Sequence, residues 1–227
     1  MTTLIGGHFY ILTISDWSYN MRSKLFNYYG RYRKGDIALI FGSPNSCVSS
    51  LLVNEAFNGC RIDTDVKILY LTRYKSINDI KYMFSERLAN THESVIDMIN
   101  EFDISLLSKS ITIEKYDSDV IDIGLIEKYN CIIIDTDGRD DISSQLSILA
   151  AFGRNVICIV SGSVSSIGDV NVYSRYSRYL CKIEHEIKPD QLKTTIYKFK
   201  PKSGEVSIKS KSIDWIIDTA HHMLYNI

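Results

Sequence analysis

The sequence has no excess charge of either sign. Its 26 basic and 27 acidic residues leave a net charge of −1 at pH 7, so any attraction to nucleic acid or anionic lipid has to come from a local patch. It has no apolar run long enough to span a bilayer, and its opening, M-T-T-L-I-G-G-H-F-Y, lacks the basic start and sustained apolar core of a signal peptide. There is no C-x-x-C. Cys47, Cys60, Cys131, Cys158 and Cys181 are odd in number and widely spaced, which predicts reduced, mostly buried thiols in a cytosolic or nuclear protein. His8, His92, His185, His221 and His222 form no metal or catalytic spacing. No internal repeat, low-complexity tract or linker divides the chain.

What is there suits one domain over residues 1–227, large enough to bury a core without staples. Apolar residues make up 45% and charged residues 23%, ordinary values for a globular fold. Buried strands are predicted at 37–41, 66–72, 131–135 and 156–160, where apolar residues run without interruption. Such runs are expected of central parallel strands covered by helices on both faces. Helices are predicted at 20–29, 48–57, 76–89, 93–101, 122–129 and 141–152. The alternation predicts an α/β doubly wound sheet. A strand at 8–14 precedes it as an N-terminal arm, a short strand falls at 111–114, and strands at 178–187, 192–200 and 205–209 form a C-terminal β-meander. The stretch 212–227 carries Ile213, Ile216, Ile217, Ala220, Met223, Leu224 and Ile227 at helical spacing behind Ser212 as N-cap, which predicts a terminal helix.

The chain is organised around G-D-I-A-L-I-F-G-S-P-N-S-C-V-S-S-L-L, residues 35–52. An apolar strand, a small-residue turn and a new helical pattern give the order of a phosphate-binding P-loop. Against G-x-x-x-x-G-K-[ST], Gly42 takes the first glycine, Cys47 the second, Val48 the lysine, and Ser49 keeps its hydroxyl. Valine brings no charge to a terminal phosphate, and a side chain at Cys47 restricts backbone that glycine would leave free. Asp135 closes C-I-I-I-D, where such folds place the carboxylate that orients Mg²⁺; a helix-capping acid accounts for it equally well. Asp137, Asp140 and Asp141 extend this into an acidic cluster, which fits a cation site or, as the more ordinary reading, a solvated strand-to-helix loop with acids at the helix N-terminus.

The succession R-K-G-D-I-A-L-I-F-G-S-P-N-S-C-V-S-S-L-L, V-K-I-L-Y-L-T, C-I-I-I-D and V-I-C-I-V-S-G-S, followed by the β-meander, resembles the RecA-type core of eukaryotic and archaeal recombinases and their paralogues. The resemblance covers residues 21–208 and rests on order and spacing. It implies a RecA-like P-loop NTPase core, a mostly parallel sheet flanked by helices. Ser49 and the Walker-B-like Asp135 match the family. The lysine, the second loop glycine and the carboxylate expected near Thr72-Arg73-Tyr74 are missing. The resemblance therefore implies a non-catalytic subunit without a working cofactor site, with ATP and Mg²⁺ bound weakly if at all. As partners it implies an ATP-competent paralogue and a recombinase filament on single-stranded DNA, in homologous recombination and DNA repair in the nucleus. A borrowed lysine such as Lys34, or a structural role like that of the RecA-like subunits of the Elongator tRNA-modification complex, are the competing expectations.

In that family the DNA-binding loops follow the strand matching 156–160. Here Arg175 and Arg178 are interleaved with Tyr173, Tyr176 and Tyr179, and Arg175, Tyr176 and Arg178 are the candidate contacts. Arginine with aromatics suits single-stranded nucleic acid, where bases stack and the backbone is neutralised. A solvated loop entering a strand accounts for the same residues. A further basic run, Lys198, Lys200, Lys202, Lys209 and Lys211, fits either a phosphate backbone or a charged edge strand.

Overall fold

The computed structural model describes residues 32–44, 46–62, 65–90, 109–117, 124, 128–166, 173, 175–185, 191–198, 209–218 and 223–226. The expected strand at 8–14 and helices at 20–29 and 93–101 lie outside these residues, as does most of 122–129.

A nine-stranded sheet runs in the order β3-β2-β4-β5-β1-β6-β7-β8-β9. Its strands are β1 (Ile37–Gly42), β2 (Ile68–Thr72), β3 (Ile111–Lys115), β4 (Cys131–Asp135), β5 (Ile157–Ser163), β6 (Tyr179–His185), β7 (Gln191–Lys198), β8 (Lys209–Asp218) and β9 (Met223–Asn226). The pairings from β3 through β6 are all parallel, and those from β6 to β9 are antiparallel. This is an α/β fold with a mostly parallel sheet flanked by helices.

Every residue of β1, β2, β4 and β5 is buried, as continuous apolar runs require when both faces are covered. Period-two alternation divides the core into two layers. Ala38, Ile40, Ile68, Tyr70, Cys131, Ile133 and Ile159 pack with Leu51, Leu52 and Ala56 of α1 (Val48–Ile62) and with Ile80 and Phe84 of α2 (Ile77–Asn90). Leu39, Phe41, Leu69, Ile132, Ile134 and Val160 form the other layer with Leu146 and Leu149 of α3 (Ser143–Phe152).

Two sequence expectations are corrected. Helix α1 does not stop near Asn58-Gly59 but continues to Ile62. Cys60, fully buried in the core, extends the apolar face past the glycine, whose helix penalty is only about 1 kcal/mol. More consequentially, the helix expected at 212–227 is absent from the described part of that stretch, where β8 and β9 run instead. Ile213, Trp215 and Ile217 fit period two as well as Ile213, Ile216 and Ile217 fit a helical stripe. β-branched and aromatic residues then favour the strand, and β7 is there to pair with it, Leu192 opposite Trp215 and Thr194 opposite Ile213. The expected meander is thereby lengthened rather than capped.

Candidate functional site

The carboxyl ends of β1, β2 and β4 meet at one edge of the sheet. After β1 the chain turns at Gly42, where a Cβ would overlap Ser46 Oγ and the Val48 side chain, so the tight approach itself requires glycine. Cys47 adopts φ 62°, a left-handed conformation uncommon for a residue with a side chain. The loop thus holds at Cys47 a backbone conformation that glycine adopts more readily. Val48, the first residue of α1, is fully buried in the core. The position that aligns with the lysine of a P-loop is thus committed to packing.

Ser49 lies one residue further along α1. Its Oγ is 3.0 Å from Asp135 Oδ1 and 3.3 Å from Asp137 Oδ1. Its single proton serves one carboxylate at a time. Cys131, Ile133 and Asp135 alternate onto the α1 side of β4, and Tyr70 of neighbouring β2 points the same way, its OH donating to Asp135 Oδ2 at 2.8 Å. The Asp137 N–H donates to Asp135 Oδ1 at 2.9 Å. Burial pushes the Asp135 carboxyl above its ordinary range, opposed by the Asp137 N–H and the hydroxyls of Tyr70 and Ser49. A folded-state value above the unfolded one means that its contribution to stability is full at acidic pH. That contribution is lost as pH rises through the folded value.

Asp137 is also buried, and its cations come from outside: Lys75 Nζ stands 3.4 Å from Oδ1 and Arg139 Nη2 3.3 Å from Oδ2. The turn carrying it, with Asp137 at φ 50° and Gly138 at φ 68°, presses against the loop after β1, since a Cβ on Gly138 would come within 2.6 Å of the Gly42 carbonyl oxygen. The segment Thr72-Arg73-Tyr74 carries cation and aromatic where the resemblance implies an acid. Arg73 pairs with Asp140 at 3.0 Å, Tyr74 OH donates to the same carboxylate at 2.5 Å, and the guanidinium of Arg139 lies 5.0 Å from the Tyr74 ring centre. A cleft of about 350 Å³ opens beside the pair, lined by Cys47, Ser49, Ser50, Lys75, Asp79, Tyr82, Met83 and Asp137.

Gly42, Cys47, Val48, Ser49 and Asp135 therefore come together. Lys34 does not: it precedes β1, where Gly35 N–H bonds to Val156 O, at the end of the parallel strands opposite the loop. Among the described residues the lysine that reaches the site is Lys75, which sequence reading passed over. Its signal was its place just past the end of β2, beside the strand that ends in Asp135. Tyr70 was missed as well, being one tyrosine among fifteen. At the far end of the sheet, Arg178 Nη1 contacts Asp36 Oδ2 at 2.9 Å and Oδ1 at 3.2 Å, and its backbone N–H bonds to Ile37 O. Tyr173 packs on Phe41 with ring centres 5.0 Å apart, and Tyr179 is buried beside Tyr32. Arg175 and Tyr176 are exposed on the turn into β6.

Free thiols occupy all five cysteine positions, four of them buried and Cys47 half-buried. Among the described residues no helix is long and apolar enough to cross a membrane. No family model matches the chain, and no curated protein matches it either.

Proposed function

We propose that the chain is a RecA-like subunit without ATP chemistry of its own, acting in a heteromeric complex with an ATP-competent paralogue to assist recombinase filaments on single-stranded DNA. The observation that carries this reading is the contrast between neighbours on α1. Ser49 meets Asp135 at 3.0 Å, as the resemblance to RecA-type cores implies, while Val48 at the lysine position is buried among apolar side chains. A mostly parallel sheet continued by antiparallel strands at its C-terminal edge agrees with the same resemblance. So does the order of β1, its loop and α1. Work in homologous recombination, in the nucleus, follows from that family reading.

For the nucleic-acid contact the candidates narrow to Arg175 and Tyr176, because Arg178 is engaged by Asp36. An exposed arginine beside an exposed tyrosine can neutralise a phosphate and stack a base. Fluorescence anisotropy with a labelled single-stranded oligonucleotide tests this. The Arg175→Ala/Tyr176→Ala variant should bind about 5-fold or more weakly, since one stacked base contributes roughly 1–3 kcal/mol. Its salt slope should flatten by about 0.7 for the phosphate contact removed. Unchanged affinity and slope would remove these residues from the interface, and a clear preference for tRNA over single-stranded DNA would favour a structural role in an Elongator-like assembly.

A further inference from the structure

Catalytic P-loop cores place Mg²⁺ beside the residues that Ser49 and Asp135 match, and the donor set here can be asked whether it suits such an ion. A hard divalent cation needs free carboxylate and hydroxyl lone pairs turned toward one point. Here each of the four carboxylate oxygens already faces a donor. Asp135 Oδ1 receives the Asp137 N–H and faces Ser49 Oγ, Asp135 Oδ2 receives the Tyr70 hydroxyl, Asp137 Oδ1 faces Lys75 Nζ, and Asp137 Oδ2 faces Arg139 Nη2. A divalent ion would also meet the Lys75 ammonium at close range. The residues do not fit a resident Mg²⁺.

We propose that the Lys75 ammonium is the built-in cation of Asp137, the carboxylate that lies beside Asp135, holding together the elements that a bound metal ion would otherwise tie. Two buried carboxylates side by side disfavour each other's charge and need a cation nearby. Lys75 is anchored by its backbone in the turn after β2. Its carbonyl accepts the Thr72 hydroxyl at 3.0 Å and lies 3.3 Å from Lys115 Nζ, which also bonds to Arg73 O. Its ammonium then reaches Asp137, whose Oδ1 also faces Ser49. One side chain from the β2–α2 turn thus reaches the turn after β4 and, through Asp137 Oδ1, the Ser49 hydroxyl at the start of α1. Arg139, more exposed than Lys75, adds charge from the rim.

The test is thermal unfolding of the full chain and of Lys75→Met, each in chelator and in millimolar Mg²⁺ or Mn²⁺. The wild type should show the same Tm in all conditions. Lys75→Met, which keeps the stem and removes the charge, should lose about 2–4 °C in chelator, the shift expected for roughly 1 kcal/mol in a chain of this size. It should recover part of that loss with either metal, as an ion enters the place the ammonium has left. Lys75→Arg should behave as wild type. Should Lys75→Met not fold, Mn²⁺ binding to the wild type decides by electron paramagnetic resonance: none is expected, and saturable binding abolished by Asp137→Asn would overturn the proposal. A Lys75→Met protein as stable as wild type, or one that loses stability with no response to metal, would overturn it too. None of these outcomes depends on a partner or on DNA, so the assembly role can fail independently.

Discussion

Alanine at Gly138 should destabilise the protein by about 2–4 kcal/mol, from a left-handed backbone position and an overlap that cannot be relieved by a rotamer. In a chain of this length that is a fall in Tm on the order of 10 °C. The residue sits at φ 68°, where a side chain is strained. Any Cβ there comes within 2.6 Å of the Gly42 carbonyl oxygen and 3.1 Å of that of Ser43. Both are backbone atoms of the loop that positions Ser49. Relief therefore means separating the β4 turn from that loop and lengthening the Ser49 contacts to Asp135 and Asp137. Asparagine distinguishes the two causes, because it tolerates the left-handed region but still carries a Cβ. Gly138→Asn should be nearly as damaging as Gly138→Ala in a thermal melt. Full rescue by asparagine would show that close approach contributes nothing.

Replacing Arg178 by alanine should cost about 1.5–3 kcal/mol, the range for hydrogen bonds to a charged group, whereas Arg175→Ala should stay within about 0.5 kcal/mol of wild type. Arg178 holds both oxygens of Asp36, joining the residue before β1 to the residue before β6. Burial pushes the Asp36 carboxyl up, against the Arg33 N–H and the Arg178 guanidinium, which hold it down. Without Arg178 the carboxyl rises further, so the variant's deficit should be greatest at neutral pH, where Asp36 is charged in the unfolded chain, and shrink as pH falls toward the carboxylate range. Urea denaturation at pH 7 and at mildly acidic pH measures both. A deficit independent of pH, or an equal deficit for Arg175→Ala, would contradict the assignment of Arg178 to the ion pair.

The central strands were legible because burial on both faces leaves an unbroken apolar run, as in Cys131–Asp135 and in β1. Ser49 and Asp135 were legible as separate positions, a helix start and a strand end, whereas their contact at 3.0 Å depends on the strand order of the sheet. Less local features were not. Residues 209–218 carry an apolar pattern compatible with either period, and β7 as a pairing partner decides between them. Arg178 looked like a free cation beside tyrosines because its partner, Asp36, is 142 residues away in sequence. Lys75 and Tyr70 could be recognised only once β2 was known to lie next to β4. Cys47 shows the opposite limit. Its side chain argues against a left-handed backbone, yet the surrounding loop holds one at φ 62°.

On the proposed function, this loop has a P-loop's frame without nucleotide chemistry. Calorimetric titration of the purified full chain with ATP in the presence of Mg²⁺ tests it most directly. Val48 offers no cation, and Lys75 would have to leave Asp137 to meet a phosphate, so the titration should show no saturable heat at micromolar to millimolar ATP. Saturable binding with a Kd of about 1 μM, corresponding to roughly −8 kcal/mol, would contradict the claim.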